Sequence, residues 1–282
     1  IMNNNKPASV AEFRRTVPLT TYEDYAPYFS QRNEDVLSEK PCCWAHTSGR
    51  SGSFKWVPWT LRAYQRLADS TITAFILAST SRKGEVNIRE GERVVQNLPP
   101  RPYMSGHMAY SAGLRLPYQA IPPLKLSDNM EIAERIELGF KISMRTVVDF
   151  IASLSSVLIK IGDGFTEQSK GLKFSSFMLH PAVLFRLVRA LLLSKLERRN
   201  ILPKDLWRAK GIVCGGTDTS VYKDQVSYYW GAVPYEVYVA TETGYIALQS
   251  WNKKGMTFLP YTNFFEFIPE TEWLRSIEDR EY

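Results

Sequence analysis

Two kinds of periodicity divide this chain, and their order limits the folds open to it. Up to about residue 199, apolar residues recur at helical spacing in three stretches. Leu61, Tyr64, Leu67, Ala68 and Phe75 predict an amphipathic helix to about Leu77, with Thr60 as a hydroxyl N-cap. Ile132, Ile136, Phe140, Met144, Val147, Val148, Ile151, Leu154 and Leu158 predict a second, longer helical stretch, with Gly139 as the point where it would break. The third opens on Pro181, a favoured first helical residue, and runs through AVLFRLVRALLLSKLERR. Its apolar residues wrap most of the circumference, which predicts a largely buried helix. The last third changes character. GIVCGG (211–216), YEVYVAT (235–241), GYIALQSW (244–251), MTFLPY (256–261) and NFFEFIP (263–269) are short, β-branched and aromatic, and turns such as NKKG part them. These read as strands. Helices followed by a strand-rich end predict an α/β or α+β protein with at least one sizeable sheet.

Composition removes several function classes. At 282 residues and 44% apolar content the chain can bury a full core, as one large domain or two small ones. The pairs Pro99-Pro100 and Pro122-Pro123 are too short to be linkers, and no repeat appears. The net charge is +6, with basic residues gathered at LERRN (196–200) and at Arg186 and Arg189. No nucleic-acid module accompanies them, so they read as a solvated helix face, and an anionic small molecule accounts equally well for the surplus. The apolar run VVDFIASLSSVLIKIG (147–162) carries Asp149 and is about four residues short of a bilayer span, so no membrane helix is expected. The N-terminal IMNNNKPAS is too polar for a secretion signal. Three cysteines, two of them adjacent (Cys42, Cys43), form no disulfide framework, which fits a cytoplasmic protein. With Cys214 they read as buried small apolar residues. Three scattered histidines and no Cys-x-x-Cys argue against zinc.

The chemistry concentrates in HTSGRSGSFK (46–55), set between the apolar flanks PCCW and WVPW. Gly49 and Gly52 permit a turn whose backbone N–H groups converge on one anion. Thr47, Ser48, Ser51 and Ser53 add hydroxyls, while Arg50 and Lys55 add charge suited to phosphate oxygens. This is not a Walker A loop, which ends in Gly-Lys-Ser/Thr at a helix; here WVPW continues as a strand or extended turn. A plain surface hairpin has the same composition.

HTSGRSGSFKWVP resembles the phosphate-binding signature of the adenylate-forming superfamily, and within it that of the auxin-responsive acyl acid amido synthetases, whose loop leads to Lys and then Pro, as Lys55 and Pro58 do here. FRRTVPLTTYEDYAPYFSQR (13–32) is similar to the opening segment of that family. YVATE (238–242) resembles the second superfamily motif, FFEFIP the strand after it, and VCGGTD a Gly-Gly turn that lines the adenine pocket. Arg50, Ser53 and Val239 depart from the usual residues.

The resemblance implies an α/β fold, the core of the large N-terminal domain of an adenylate-forming enzyme, with helices packed on mixed β-sheets. It implies ATP and Mg²⁺, a carboxylic acid substrate and an amino acid or other amine acceptor, with neither nucleic acid nor membrane as partner. Thr47, Ser48, Gly49, Arg50, Ser51, Gly52 and Lys55 would cradle the phosphates. Thr241 would bond the α-phosphate, Glu242 would bind Mg²⁺, and Tyr238, Gly215 and Gly216 would border the adenine. His107 falls in the region of the acid pocket, where it either meets a carboxylate or serves structure. No ribose-binding Asp segment or mobile C-terminal domain is found, so residues 1–282 are expected to be an incomplete adenylation domain. Coenzyme A as acceptor, or a silent nucleotide- or acid-binding protein, remain as alternatives.

Overall fold

The computed structural model describes residues 7–49, 54–168, 180–216 and 219–278. The described helices are α1 (Val10–Thr16), α2 (Ala26–Phe29), α3 (Leu61–Ser79), α4 (Met104–Arg115), α5 (Leu124–Ser127), α6 (Ile132–Arg145), α7 (Ser155–Gln168), α8 (Pro181–Leu196), α9 (Pro203–Leu206), α10 (Thr219–Trp230) and α11 (Glu270–Glu278). The strands are β1 (Cys43–His46), β2 (Trp56–Trp59), β3 (Arg93–Gln96), β4 (Gln119–Ile121), β5 (Phe150–Leu154), β6 (Gly211–Gly215), β7 (Tyr235–Ala240), β8 (Gly244–Leu248) and β9 (Thr257–Phe258). β1 and β2 form an antiparallel hairpin; the others form one mixed sheet in the order β4-β3-β5-β6-β7-β8-β9. From β4 to β7 every neighbour is parallel, and β8 and β9 close one edge antiparallel. This is the expected α/β class.

Alternation along the central strands feeds two cores. Phe150, Ala152 and Val213 point to the face covered by α3, α4 and the hairpin, with Trp59, Leu67, Phe75 and Met108. Ile151, Ile212 and Cys214 point to the opposite face, among Met144, Leu158, Val183, Leu206, Val226 and Trp230 from α6 to α10. A strand buried on both faces loses polar alternation, and this explains the first correction. The apolar run from Ile132 to Leu158 is not one helical stretch: α6 passes unbroken through Gly139, then β5 crosses the middle of the sheet, then α7 begins. Residues 150–153 are all buried, a continuous apolar run that periodicity alone does not separate from a helix.

α3 begins as expected, the Thr60 hydroxyl accepting from Ala63 N–H at 3.2 Å. α8 opens at Pro181 as expected but ends at Leu196 rather than Arg199, and it is not largely buried. Val183, Ala190 and Ser194 form a narrow inward stripe, while Leu184, Phe185, Val188, Leu191, Leu192 and Leu196 are exposed. Residues 263–269 form no strand, and MTFLPY contributes only the two residues of β9. Of the basic residues expected on a solvated face, Arg198 is exposed, but Arg186 and Arg199 turn into the protein. Arg186 Nη1 donates to the carbonyls of Ser143 (2.7 Å), Met144 (3.1 Å) and Thr146, which end α6. Arg199 grips Asp205 with two parallel bonds of 2.6 and 2.8 Å. Among the described residues no helix is long and apolar enough to cross a membrane.

Candidate functional site at the carboxyl edge of the sheet

In parallel sheets, ligand crevices form beyond the carboxyl ends of the strands, where the chain leaves for its crossovers. Several of the predicted residues collect there. Gly215 ends β6, and Gly216 follows with φ +114° and is exposed. β7 lies beside β6, Gly215 opposite Val237, and its last turns carry Tyr238, Thr241 and Glu242. Tyr238 is 53% exposed rather than a core ring, which leaves an aromatic face next to the Gly-Gly turn.

The β7–β8 turn is tightly fixed. Gly244 adopts φ +71°, and a Cβ there would stand 2.9 Å from Cη2 of Trp59. The Trp59 indole Nε1 donates to the Thr241 carbonyl at 3.2 Å, so β2 holds the end of β7. The Glu242 carboxylate is exposed and borders a cavity of about 140 Å³ with Trp59, Arg66, Ser70, Thr243 and Asn263. The sequence offered WVPW only as a strand or extended turn; the part Trp59 plays depends on a partner far along the chain.

The hairpin loop is built from its base upward. Thr47 N–H donates to the Lys55 carbonyl (3.0 Å), and Lys55 N–H donates to Thr47 Oγ1 (3.2 Å), closing the loop neck. His46 is buried against Phe54, Trp56 and Tyr103, its Nδ1–H donating to the Thr47 carbonyl at 2.8 Å. Ser48 is exposed at the start of the loop. Gly49 takes φ +69° with the Phe54 ring 3.0 Å from where a Cβ would stand, so the turn demands glycine there. Arg50, Ser51 and Gly52 lie outside the described residues. Lys55 does not point freely outward: its Nζ lies 3.4 Å from Glu23 Oε1 and 4.8 Å from the Tyr22 ring centroid. Those partners belong to TYEDY, which the sequence marked as a landmark without a role. Among the described residues no hydrogen bond or ion pair joins Lys55 to Thr241 or Glu242; the two halves connect through β2.

His107 is 6% exposed within α4, and its Nε2 has no hydrogen-bond partner. Burial, with the Arg101 charge adding to it, lowers its pKa to about 4, so it is neutral at pH 7 and makes no ion pair with a carboxylate. Because the folded value lies below the unfolded one of about 6.5, its contribution to stability is complete above that value. It is lost as the pH falls toward 4, by about 3 kcal/mol. Urea unfolding at pH 7 and pH 4.5 should show the wild type losing that much more than His107→Gln. Equal pH dependence in both would place the titration elsewhere.

Of the three cysteines expected to be buried only Cys214 is, since Cys43 is half-buried. Cys214 is buried, but Cys42 is exposed; burial raises the pKa of both Cys42 and Cys43, the latter to about 12, so neither supplies a thiolate at neutral pH.

The fold is shared with adenylate-forming enzymes. An open conformation of 2-hydroxyisobutyryl-CoA ligase in complex with 2-HIB-AMP and CoA matches at a TM-score of 0.52 and 14% identity, over 88% of this chain and 49% of that one. The same ligase in the postadenylation state with R3-HIB-AMP matches at 0.53, again at 14% identity, over 88% and 44%. The chain therefore spans about half the length of these structures. Residues 2–96 match the GH3 family N-terminal domain, a span that holds the hairpin loop and ends at β3. Thr241 and Glu242 lie beyond it. No curated protein matches the chain.

Proposed function

We propose that the chain carries the nucleotide-handling part of an enzyme that activates a carboxylic acid with ATP and passes the acyl group to an amino acid. The observation that carries this reading is the Glu242 carboxylate. It stands exposed at the carboxyl edge of the sheet, directly after Thr241 at the end of the strand beside β6, in a chain with a GH3 N-terminal segment. Among the described residues it has no hydrogen-bond or ion-pair partner, as suits a ligand for a hard cation.

A free carboxylate resists acyl transfer because its charge repels nucleophiles and oxide is a poor leaving group. Transfer of AMP to its oxygen, with loss of pyrophosphate, removes both obstacles. The reaction asks the protein for position and charge complementarity rather than for a nucleophile. One carboxylate suits Mg²⁺, which keeps several waters and shares phosphate oxygens; when bound it neutralises phosphate charge. Glu242 would hold it, and Thr241 would orient the α-phosphate. Tyr238 and the Gly215-Gly216 turn would border the base. Thr47, Ser48, Gly49, Arg50, Ser51 and Gly52 would receive the outer phosphates. Lys55 would join them on leaving Glu23, and an exposed pair of that kind is weak, about 1 kcal/mol or less.

Calorimetric titration with ATP tests the reading. Glu242→Gln should weaken binding at least about tenfold in Mg²⁺ and hardly at all in EDTA, since the amide keeps the shape but is a poor ligand for Mg²⁺. Equal loss in both buffers would assign Glu242 a structural part. The CoA found in the ligase of like fold favours a thiol as the second reading for the acceptor. Trapping the activated acid with amino acids against coenzyme A separates the two.

A further inference from the structure

We propose that the cavity beside Glu242 seats the acceptor amino acid, that Arg66 takes its α-carboxylate, and that a large apolar side chain runs from there into a neighbouring aromatic groove. The acceptor role rests on the proposed nucleotide site at Glu242; the binding of an amino acid does not. The cavity of about 140 Å³ lies between one face of α3 and the β7–β8 turn. Ala63, Arg66, Leu67 and Ser70 recur at helical spacing and share that face. Ser70 is 1% exposed, and its Oγ has no hydrogen-bond partner. A buried hydroxyl left unpaired is costly, and a ligand oxygen would satisfy it.

Arg66 stands one turn before Ser70 and is half-buried, and its Nη1 reaches the Thr262 carbonyl only at 3.5 Å. Among the described residues it forms no ion pair, so its fork is open to a carboxylate. Asn263 is fixed on the other wall: its Nδ2 donates to the carbonyls of Thr243 (3.4 Å) and Tyr245 (3.2 Å) and to Thr262 Oγ1 (3.0 Å). That leaves Oδ1 to accept from an amine. A volume of this order takes about six heavy atoms, enough for the head of an amino acid and too little for a nucleotide. The side chain has a separate place. Arg66, Thr262 and Asn263 also line a wider groove of about 710 Å³, so the two spaces meet at these residues. Phe258, Phe264, Phe265 and Phe267 wall that groove. Phe258 packs on Phe265 and Phe267 with ring centroids 5.1 and 5.2 Å apart, while Phe264 and Phe267 stay largely exposed. An aromatic wall beside a cation favours an apolar side chain whose carboxylate meets that cation. Glycine would leave the wall bare, and glutamate would bring a charge onto it.

Saturation-transfer NMR with free phenylalanine, in the absence of ATP and Mg²⁺, tests the site. Without nucleotide the result is independent of the Glu242→Gln titration, so failure of either reading leaves the other standing. The wild type should bind phenylalanine saturably, at least about tenfold more tightly than glycine or glutamate. Phenylalaninamide, which lacks the carboxylate, and 3-phenylpropionate, which lacks the amine, should each bind at least about tenfold more weakly. Arg66→Met should lose phenylalanine to the same extent, and the two analogues give the answer on the wild type if that variant does not fold. Amide binding as tight as that of phenylalanine would remove Arg66 as the anchor. Equal binding of phenylpropionate would make this a site for a plain acid instead of an acceptor. Glycine or glutamate bound as tightly as phenylalanine would remove the groove, and no binding of any amino acid would overturn the site.

Discussion

Trp59→Ala is expected to lose about 3 to 5 kcal/mol of folding stability, measured by urea unfolding, the range for removing a large buried aromatic. Trp59 is 5% exposed, packs in the core beneath α3 and rests on Gly244, whose missing Cβ makes room for the ring. The indole also holds the Thr241 carbonyl. Trp59→Phe keeps an aromatic ring but removes the N–H and the outer part of the indole, so it should cost about 1 kcal/mol beyond the lost volume. A loss below about 1 kcal/mol for Trp59→Ala would show that the ring is not the wedge between the hairpin and β7. Because Trp59 positions the residue before Glu242, Trp59→Phe should also weaken Mg²⁺-dependent ATP binding if the proposed site is correct.

Asp205→Ala should cost about 3 to 5 kcal/mol, because it leaves the largely buried Arg199 guanidinium with only the half-exposed Glu197 as a counter-charge. Asp205 is 3% exposed and accepts both from the Arg199 fork and from Leu202 N–H at 2.8 Å, fixing the turn between α8 and β6. Burial pushes the Asp205 pKa up, but Arg199 and the Leu202 N–H outweigh it and hold it below the ordinary value. Its share of stability is therefore present at neutral pH and is lost as the pH falls below the ordinary carboxylate value toward the folded one. The double variant Asp205→Leu, Arg199→Met should be much less damaged than Asp205→Ala, since it leaves no unpaired charge. If instead it unfolds as readily, packing rather than charge governs this turn.

Local signals were legible wherever the chemistry is local. The Thr60 hydroxyl caps α3, Pro181 opens α8, and β6, β7 and β8 lie where β-branched and aromatic runs place them. The glycine and hydroxyl composition of residues 46–55 marks a turn, and the resemblance it carried led to the GH3 match over residues 2–96. Legibility failed where burial is decided by distant neighbours. Phe150 to Ser153 read as helix because a strand covered on both faces has no polar alternation to show. α8 read as buried because its composition is apolar all round, yet only one narrow stripe of it meets the core.

The sequence by itself determined the class of fold, the strands and helices with strong local preference, and the likeness of the first third of the chain to the GH3 family N-terminal domain. These rest on periodicity, caps and short motifs, which depend on neighbours a few residues away. Only the tertiary structure decided that Trp59 holds Thr241, that Lys55 rests on Glu23 and that His107 is neutral. Each of these depends on groups brought together from distant parts of the chain, or on water excluded from around them, and neither is written in local sequence.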